Sequence, residues 1–250
     1  MTKLYHNLSE TVKIKKISDD GTVGVFHIEG LYTGFGLTLG NALRRALFSS
    51  LPGAAITQVK IKGVGHEFTT IPGVVEDVVE LTLNFKKVCF KFFADEPQIL
   101  TLKIKGEKDV KAGNIKTNSQ VEIVNSDLHL ASITDKKAEL DMELTVEKGL
   151  GYLPAAERKL ERLAIGTIVL DASFSPVTKV NTSVENMRVG EKTDYNRLKI
   201  EIETNGSISP SQALYKTTNV LKDHFDKISD VLAEEEGEKD KKQNKKKEAK

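Results

Sequence analysis

Three glycines are the first residues in the sequence whose type and spacing could form a ligand-binding site. Gly34, Gly36 and Gly40 follow a strand-like run and open a helical pattern, which is how a dinucleotide-binding turn holds a pyrophosphate. Their spacing, G-x-G-x-x-x-G, departs from the strict fingerprint. The next strand should end in an acid for the ribose, yet the chain has Lys60 and Lys62 there. The pattern therefore favours a tight turn and close backbone packing, with a stand-alone nucleotide-binding enzyme as the alternative.

The histidines and the single cysteine do not form a catalytic or metal-binding set in the sequence. His66-Glu67 matches the start of a zinc-protease helix, but Thr70 stands where the second histidine is required. The five histidines are scattered, and Cys89 lies in an apolar run that predicts a core thiol. The sequence contains neither a P-loop nor a G-x-S-x-G elbow. We therefore expect no catalytic residue, no metal site and no cofactor on this chain.

An arginine pair lies on the helix that follows the glycines. Residues 37–50 predict a short amphipathic helix that carries Arg44 and Arg45. One apolar stripe on this helix is formed by leucines that recur every four residues: Leu39, Leu43 and Leu47. An ordinary core helix with surface arginines explains the pattern, and so does a helix that contacts a partner protein.

Composition limits the classes of function that are open to the chain. Its 250 residues are enough for a sizeable core and predict two domains. The 37 basic and 36 acidic residues nearly cancel, so the overall charge provides no basic face for duplex DNA. No apolar run reaches the ~18 residues of a membrane span, and the N-terminus lacks a signal-peptide core. With a single cysteine as well, the sequence predicts a cytoplasmic protein.

Alternating apolar residues predict that much of the chain is β structure. Strand patterns over 12–17 and 22–28 flank a turn signal and predict a hairpin. The stretch 54–177 contains short strand-like runs separated by turns, so the middle of the chain is predicted to be β-rich. Two exceptions favour helix: residues 74–85, whose acidic side chains suit a helix start, and the charged segment 156–163.

The last predicted element is the clearest helix of the sequence. Ser209 suits the N-cap, Pro210 the first helical position and Gln212 a capping box. Apolar residues then recur with heptad-like spacing: Leu214, Leu221, Phe225, Ile228 and Leu232. A core helix of a monomer explains this seam, and so does a helix–helix oligomer interface. Residues 234–250 have almost no apolar content, and we expect a disordered, charged tail there.

Taken together, these residues resemble the α subunit family of bacterial DNA-directed RNA polymerase. The most distinctive match is Gly34-Phe-Gly-Leu-Thr-Leu-Gly-Asn-Ala-Leu-Arg-Arg45. Six blocks carry the resemblance in the order of the family: residues 34–45, 63–70, 76–84, 149–155, 171–177 and 203–208. One such block could arise by chance, but six in order over roughly residues 8–235 could not.

The resemblance implies an α+β fold in which one domain is interrupted by another. A discontinuous dimerisation domain, a sheet plus two amphipathic helices, is implied for residues 1–52 and 178–233. An inserted β-rich domain is implied for residues 53–177. The family forms a homodimer on which the large β and β′ subunits assemble, and ω and σ join them in the holoenzyme. The resemblance thus implies a non-catalytic subunit of a nucleotidyltransferase, associated with the nucleoid.

The resemblance also implies roles for particular residues in the matching blocks. Docking of the β subunit is implied for Arg44, Arg45, Phe48, His66 and Glu67, with Arg45 the most closely tied to it. Weaker contacts with β or β′ are implied for Lys86, Arg188, Thr193 and Asp194. The dimer interface is implied to include residues of both helices: Phe35, Leu39, Leu43, Leu47, Leu214, Leu221, Phe225 and Ile228.

The sequence departs from the family pattern in two places. Most members continue through a linker into a helical C-terminal domain that binds promoter DNA, whereas this chain ends in the charged tail. We therefore expect no sequence-specific DNA binding, although a DNA-binding regulator acting through Lys245, Lys246 and Lys247 is a further alternative. The second departure is the segment Glu157-Arg-Lys-Leu-Glu-Arg-Leu163, where the family often has an acidic, more flexible loop.

Overall fold

A computed structural model of the chain describes residues 8, 10–158 and 166–248. The helices of this part are α1 (Phe35–Ser49), α2 (Val78–Phe85) and α3 (Pro210–Glu248). Its strands are β1 (Lys13–Asp19), β2 (Val23–Leu31), β3 (Pro52–Ile61), β4 (Phe90–Phe92), β5 (Gln98–Lys105), β6 (Lys108–Lys111), β7 (Val121–Ile123), β8 (His129–Ile133), β9 (Glu139–Leu150), β10 (Tyr152–Leu153), β11 (Thr167–Val169), β12 (Ala172–Ser173), β13 (Val177–Val189) and β14 (Lys192–Thr204). No helix in these residues is long and apolar enough to cross a membrane.

The two ends of the chain meet in one four-stranded antiparallel sheet. Its strand order is β1-β2-β14-β13, so the N-terminal hairpin pairs with the C-terminal hairpin through β2 and β14. Alternation places one face of each strand on the same side of the sheet, and α1 and α3 cover this side at β2, β13 and β14. The core between them is made of buried apolar side chains, among them Phe26, Leu47, Leu198, Ile200 and Ile202. We call this part the end-to-end unit.

The middle of the chain forms a second, β-rich unit with its own core. The central sheet has the order β11-β3-β9-β5, and the pairs β4-β7 and β6-β8 lie beside it. Helix α2 contacts β8, and Asp77 caps this helix by accepting a hydrogen bond from the N–H of Glu80 at 2.7 Å. The buried cluster runs from Ile56 to Leu170 and is separate from that of the end-to-end unit. The chain is therefore an α+β protein with a β-rich insertion.

Helix α1 begins on a glycine because of the way it packs on the sheet. Gly34, the N-cap residue, has a left-handed backbone (φ 88°) and no side chain to cap the helix. Instead, Asn196 Oδ1 accepts hydrogen bonds from the N–H of Gly34 at 2.8 Å and from the N–H of Gly36 at 3.4 Å. A Cβ on Gly36 would lie 2.7 Å from Val184 Cγ1, and one on Gly40 would lie 3.0 Å from Leu198. These glycines thus allow a tight turn and close contact with β13 and β14.

A second pair of glycines lies where the two units join. Gly53 and Gly149 are ladder partners in β3 and β9, and Phe174 is buried against both. A Cβ on Gly53 would stand 1.8 Å from the carbonyl oxygen of Phe174, and one on Gly149 would stand 2.6 Å from its ring. Glycine is therefore required by the close approach of the Phe174 segment to this end of the sheet.

Replacing Gly149 by alanine is expected to lower the free energy of unfolding by about 1–3 kcal/mol, because the new methyl group would overlap the ring of Phe174. Chemical denaturation measures the change. The matched control is Gly65→Ala, since a Cβ at Gly65 meets nothing within 4 Å. An equal loss of stability in both variants would contradict this account of the junction.

The structure differs from the sequence-based expectations in three elements. Strand β13 was not predicted, because its apolar residues do not alternate and most of it is exposed at the sheet edge. Strand β6 was also not predicted, because its residues 108–111 lie in a polar stretch with turn signals on both sides. Helix α3 continues to Glu248, where a disordered tail was expected, since the abundant Glu and Lys of this segment are strong helix formers. The predicted helical segment 156–163 lies mostly outside the described residues.

Candidate interaction surfaces

The arginine pair lies on the side of α1 that faces away from the core. Arg44 and Arg45 are exposed, whereas Leu43, Ala46 and Leu47 on the same helix are buried. Among the described residues, no carboxylate oxygen lies within 4.0 Å of either guanidinium. We call Arg44, Arg45 and the half-buried Phe48 the arginine face. Each guanidinium is therefore available for bidentate hydrogen bonds to an acceptor on another molecule.

His66 and Glu67 lie on an exposed loop that follows β3. Two hydrogen bonds stabilise the loop. Thr69 Oγ1 donates to the carbonyl of His66 at 3.0 Å, and the N–H of Val78, at the start of α2, donates to the carbonyl of Thr69 at 3.2 Å. Beside them, Phe68 exposes 79% of its surface. The matching sequence block contained Phe68, but nothing in its residue type indicated that an aromatic ring would point to solvent.

The arginine face and the 63–70 loop do not form one compact cluster. Strand β3 starts just after α1 and ends just before the loop. A strand of ten residues is about 30 Å long, so the two patches lie near opposite ends of β3. A partner that touches both must extend along this strand, which suits a large protein better than a small ligand.

Lys86 is exposed at the end of α2, yet it is already paired within the chain. Its Nζ lies 2.9 Å from Asp171 Oδ2, and the N–H of Ala155 donates to Asp171 Oδ1 at 2.9 Å. The hydrogen bond from Ala155 and then that from Lys86 hold the pKa of Asp171 below its ordinary 3.8. An ammonium has three donors, so Lys86 keeps donors for a partner while its position is fixed by Asp171.

The other residues with weaker implied contacts lie at the ends of two strands. Arg188 is in β13, and Thr193 and Asp194 are in β14. All three are exposed. Two of them make local contacts, since Arg188 Nε donates to the carbonyl of Gly190 at 2.8 Å and Thr33 Oγ1 lies 2.8 Å from Asp194 Oδ2. The sequence did not predict the β13–β14 hairpin, because the polar residues of β13 hide its strand pattern.

The predicted dimer residues separate into two groups. Leu43, Leu47 and Leu214 are buried in the core of a single chain, where the sheet of the same chain covers them. Their assignment to the dimer interface stays a prediction. The remaining residues are half-buried or exposed in one chain: Leu39, Leu221, Phe35, Phe225 and Ile228.

One apolar stripe of α3 passes from the core into solvent. Leu214 is 5% exposed and Leu221 is half-buried, whereas Phe225, Ile228 and Leu232 expose 65%, 57% and 56% of their surfaces. We call these five residues the α3 stripe. From Lys222 to Ala233 every side chain is exposed, so this part of the helix extends beyond the body of the end-to-end unit.

A groove beside the stripe continues this apolar surface. It lies between β1, α1 and α3, has a volume of about 540 Å³ and is lined mainly by apolar side chains, including Ile14, Leu39, Leu221 and Phe225. Ile14 itself is 62% exposed. Sequence reasoning missed Ile14, because a strand pattern does not reveal that its inward face extends past the covering helices.

The glycine turn offers no space for a dinucleotide. The positions next to Gly36 and Gly40 are filled by side chains of β13 and β14, and the sheet is antiparallel rather than a doubly wound parallel sheet. The nucleotide-binding alternative is therefore wrong for these glycines. Among the described residues there is also no group of three or more His, Cys, Asp or Glu side chains arranged to hold a metal ion.

Comparison with known proteins identifies the family of the chain. Residues 59–175, which cover most of the β-rich unit, match the family model described as RNA polymerase Rpb3/RpoA insert domain. The chain is 44% identical over 239 residues to the DNA-directed RNA polymerase subunit alpha of Alkaliphilus oremlandii, covering 93% of this chain and 75% of the relative. The chain belongs to the DNA-directed RNA polymerase subunit alpha family.

Two further alpha subunits show the same relationship. The relative from Symbiobacterium thermophilum is 49% identical over 210 residues, which are 84% of this chain and 66% of the relative. That from Desulfitobacterium hafniense is 46% identical over 234 residues, with 90% and 74% coverage. The chain thus spans about two thirds to three quarters of the length of these alpha subunits, and the match extends over both the end-to-end unit and the insertion.

Proposed function

We propose that this chain is a non-catalytic assembly subunit of DNA-directed RNA polymerase. Two copies form a homodimer, and the dimer is the platform on which the β and β′ subunits assemble, with ω and σ joining in the holoenzyme. Nucleotidyl transfer is then a property of the assembled cytoplasmic, nucleoid-associated complex, and this chain contributes binding surfaces rather than reacting groups.

The observation that carries the proposal is the course of the α3 stripe. A stripe that stabilises the core at Leu214 and is exposed from Phe225 onward lacks a partner within the described chain. Contiguous exposed apolar surface of this kind marks a protein–protein interface. A second copy supplies the same stripe and the same groove, as a self-complementary two-fold interface requires.

The arginine face supports the second half of the proposal. Arg45 is exposed and carries a permanent charge and a rigid fork of donors. It lies on the same helix as half-buried Leu39, which lines the groove, so one helix contributes to both surfaces. Dimerisation and docking of β are therefore assigned to different faces of α1. A substitution can disrupt one of these interactions without affecting the other.

Sedimentation equilibrium of the isolated chain tests the first step. At micromolar concentration we expect twice the 27.6 kDa mass of one chain, because the α3 stripe and the groove are buried only in the dimer. A monomer at that concentration would contradict the platform model.

A further inference from the structure

Three segments of the β-rich unit meet at one histidine. His129 Nε2 lies 2.9 Å from Glu76 Oε1, and His129 Nδ1 lies 2.7 Å from Asp109 Oδ1. Glu76 precedes α2, Asp109 belongs to β6 and His129 opens β8. We call these three residues the histidine clasp. They are separated by up to 53 positions in sequence, so only the fold brings them together.

The geometry of the clasp requires a charged ring. A carboxylate at this distance only accepts hydrogen bonds, so both ring nitrogens must donate. A neutral imidazole has one N–H and would place a lone pair against the second carboxylate. Only the imidazolium satisfies both contacts, and it does so with charge-assisted hydrogen bonds.

The clasp fixes the segment that carries the 63–70 loop. The other oxygen of Glu76 accepts the N–H of Ser132 at 2.7 Å, and the N–H of Val75 donates to the carbonyl of Ser132 at 3.0 Å. An isolated bridge then joins Asp77 to Thr70. Contacts therefore run without interruption from His129 through Glu76 to the loop that exposes His66, Glu67 and Phe68.

We propose that His129 is a positioning residue for the 63–70 loop, which it holds in place for docking of a polymerase subunit only while its ring is protonated. The docking half of this inference rests on the proposed function. The ordering of the loop does not, since it depends only on contacts within the β-rich unit.

The sign of the pH dependence follows from the two pKa shifts. The hydrogen bond with Glu76 raises the pKa of His129, burial opposes it and Asp109 adds to it, so the pKa lies above the ordinary 6.5. Burial raises the pKa of Glu76, but the N–H of Ser132 and the ring of His129 lower it by more, to below 4.5. The histidine clasp is thus fully formed between pH 4.5 and pH 6.5. It opens as the pH rises through the raised pKa of His129.

The surrounding charges are consistent with this direction. Lys111 is the ladder partner of His129 on β6 and is exposed. Asp77 is engaged in capping α2 through the N–H of Glu80. The charged groups that face the ring at hydrogen-bond distance, within the described residues, are therefore the two carboxylates of the clasp.

Hydrogen exchange of the full-length chain tests the inference. After correction for intrinsic rates, amides 69–78 are expected to lose about fivefold in protection between about pH 6 and about pH 9, as one hydrogen bond is lost. His129→Gln should show the lower protection at both pH values and no pH dependence. The control His27→Gln removes a histidine of β2 in the other unit and should keep the pH dependence. Protection that does not change with pH in the unsubstituted chain would overturn the proposal.

Binding of the β subunit separates this inference from the proposed function. If both hold, the affinity of the unsubstituted chain for β falls about fivefold over the same pH range, and that of His129→Gln stays constant. Arg45→Ala should lose binding of β at every pH while its loop protection still changes. If the protection of amides 69–78 depends on pH but the chain does not bind β at all, the proposed function is refuted and the ordering role of His129 stands. If this protection changes with pH but the affinity for β stays constant, the docking role of His129 is refuted.

Discussion

Replacing Phe225 and Ile228 together by aspartate is expected to convert the dimer into a folded monomer. Both side chains are more than half exposed in the single chain, so the substitutions leave its core intact. In the dimer each copy would have to bury two carboxylates in place of two large apolar groups, each worth about 2 kcal/mol. We expect the dissociation constant to rise at least about 1,000-fold, as measured by sedimentation equilibrium.

The control for this double variant lies on the same turn of α3. Lys227→Asp adds an acid at an exposed position of α3 that lies outside the α3 stripe. It should leave the dimer unchanged, and thermal unfolding should show that all variants remain folded. A dimer that survives both substitutions in the stripe would show that α3 does not form the interface.

Arg45→Ala is expected to abolish recruitment of the β subunit while the dimer persists. Arg45 is exposed and has no carboxylate partner within 4.0 Å among the described residues, so its loss should not destabilise the chain. Truncating a central interface arginine costs about 2–4 kcal/mol, which predicts a loss of affinity for β of about 30-fold to 700-fold. Co-purification of β with tagged chain, and titration of the two proteins, measure this loss.

Two substitutions show which property of Arg45 matters. Arg45→Lys keeps the charge but loses the fork of donors, and we expect an intermediate affinity. Lys199→Ala removes an exposed charge from β14, away from the arginine face, and should bind β normally. Normal assembly of β with Arg45→Ala would show that the docking role assigned to this residue is wrong.

Local patterns in the sequence predicted local structure well. The hairpin of β1 and β2, the start of α3 at Pro210 and the short helix in 74–85 follow from alternation, capping residues and helical spacing. The glycines around the start of α1 predicted close packing, and Gly36 and Gly40 lie against side chains of β13 and β14. The α+β fold class with a β-rich insertion, inferred from the resemblance, is confirmed.

Properties that depend on distant segments were beyond the sequence. A leucine stripe does not reveal whether its partner is the sheet of the same chain or another molecule: Leu43 and Leu47 are buried within a single chain, whereas Phe225 is exposed. The histidine clasp joins residues from three elements, and scattered histidines gave no sign of it. The roles of the arginine face and of the α3 stripe stay predictions until they are tested by mutation.

Native mass spectrometry of the complex formed with β and β′ tests the platform model most directly. The account predicts two copies of this chain with one β and one β′, and an intermediate of two copies with one β alone. A complex that contains a single copy of this chain, or β bound to the Phe225→Asp, Ile228→Asp monomer as tightly as to the dimer, would contradict it.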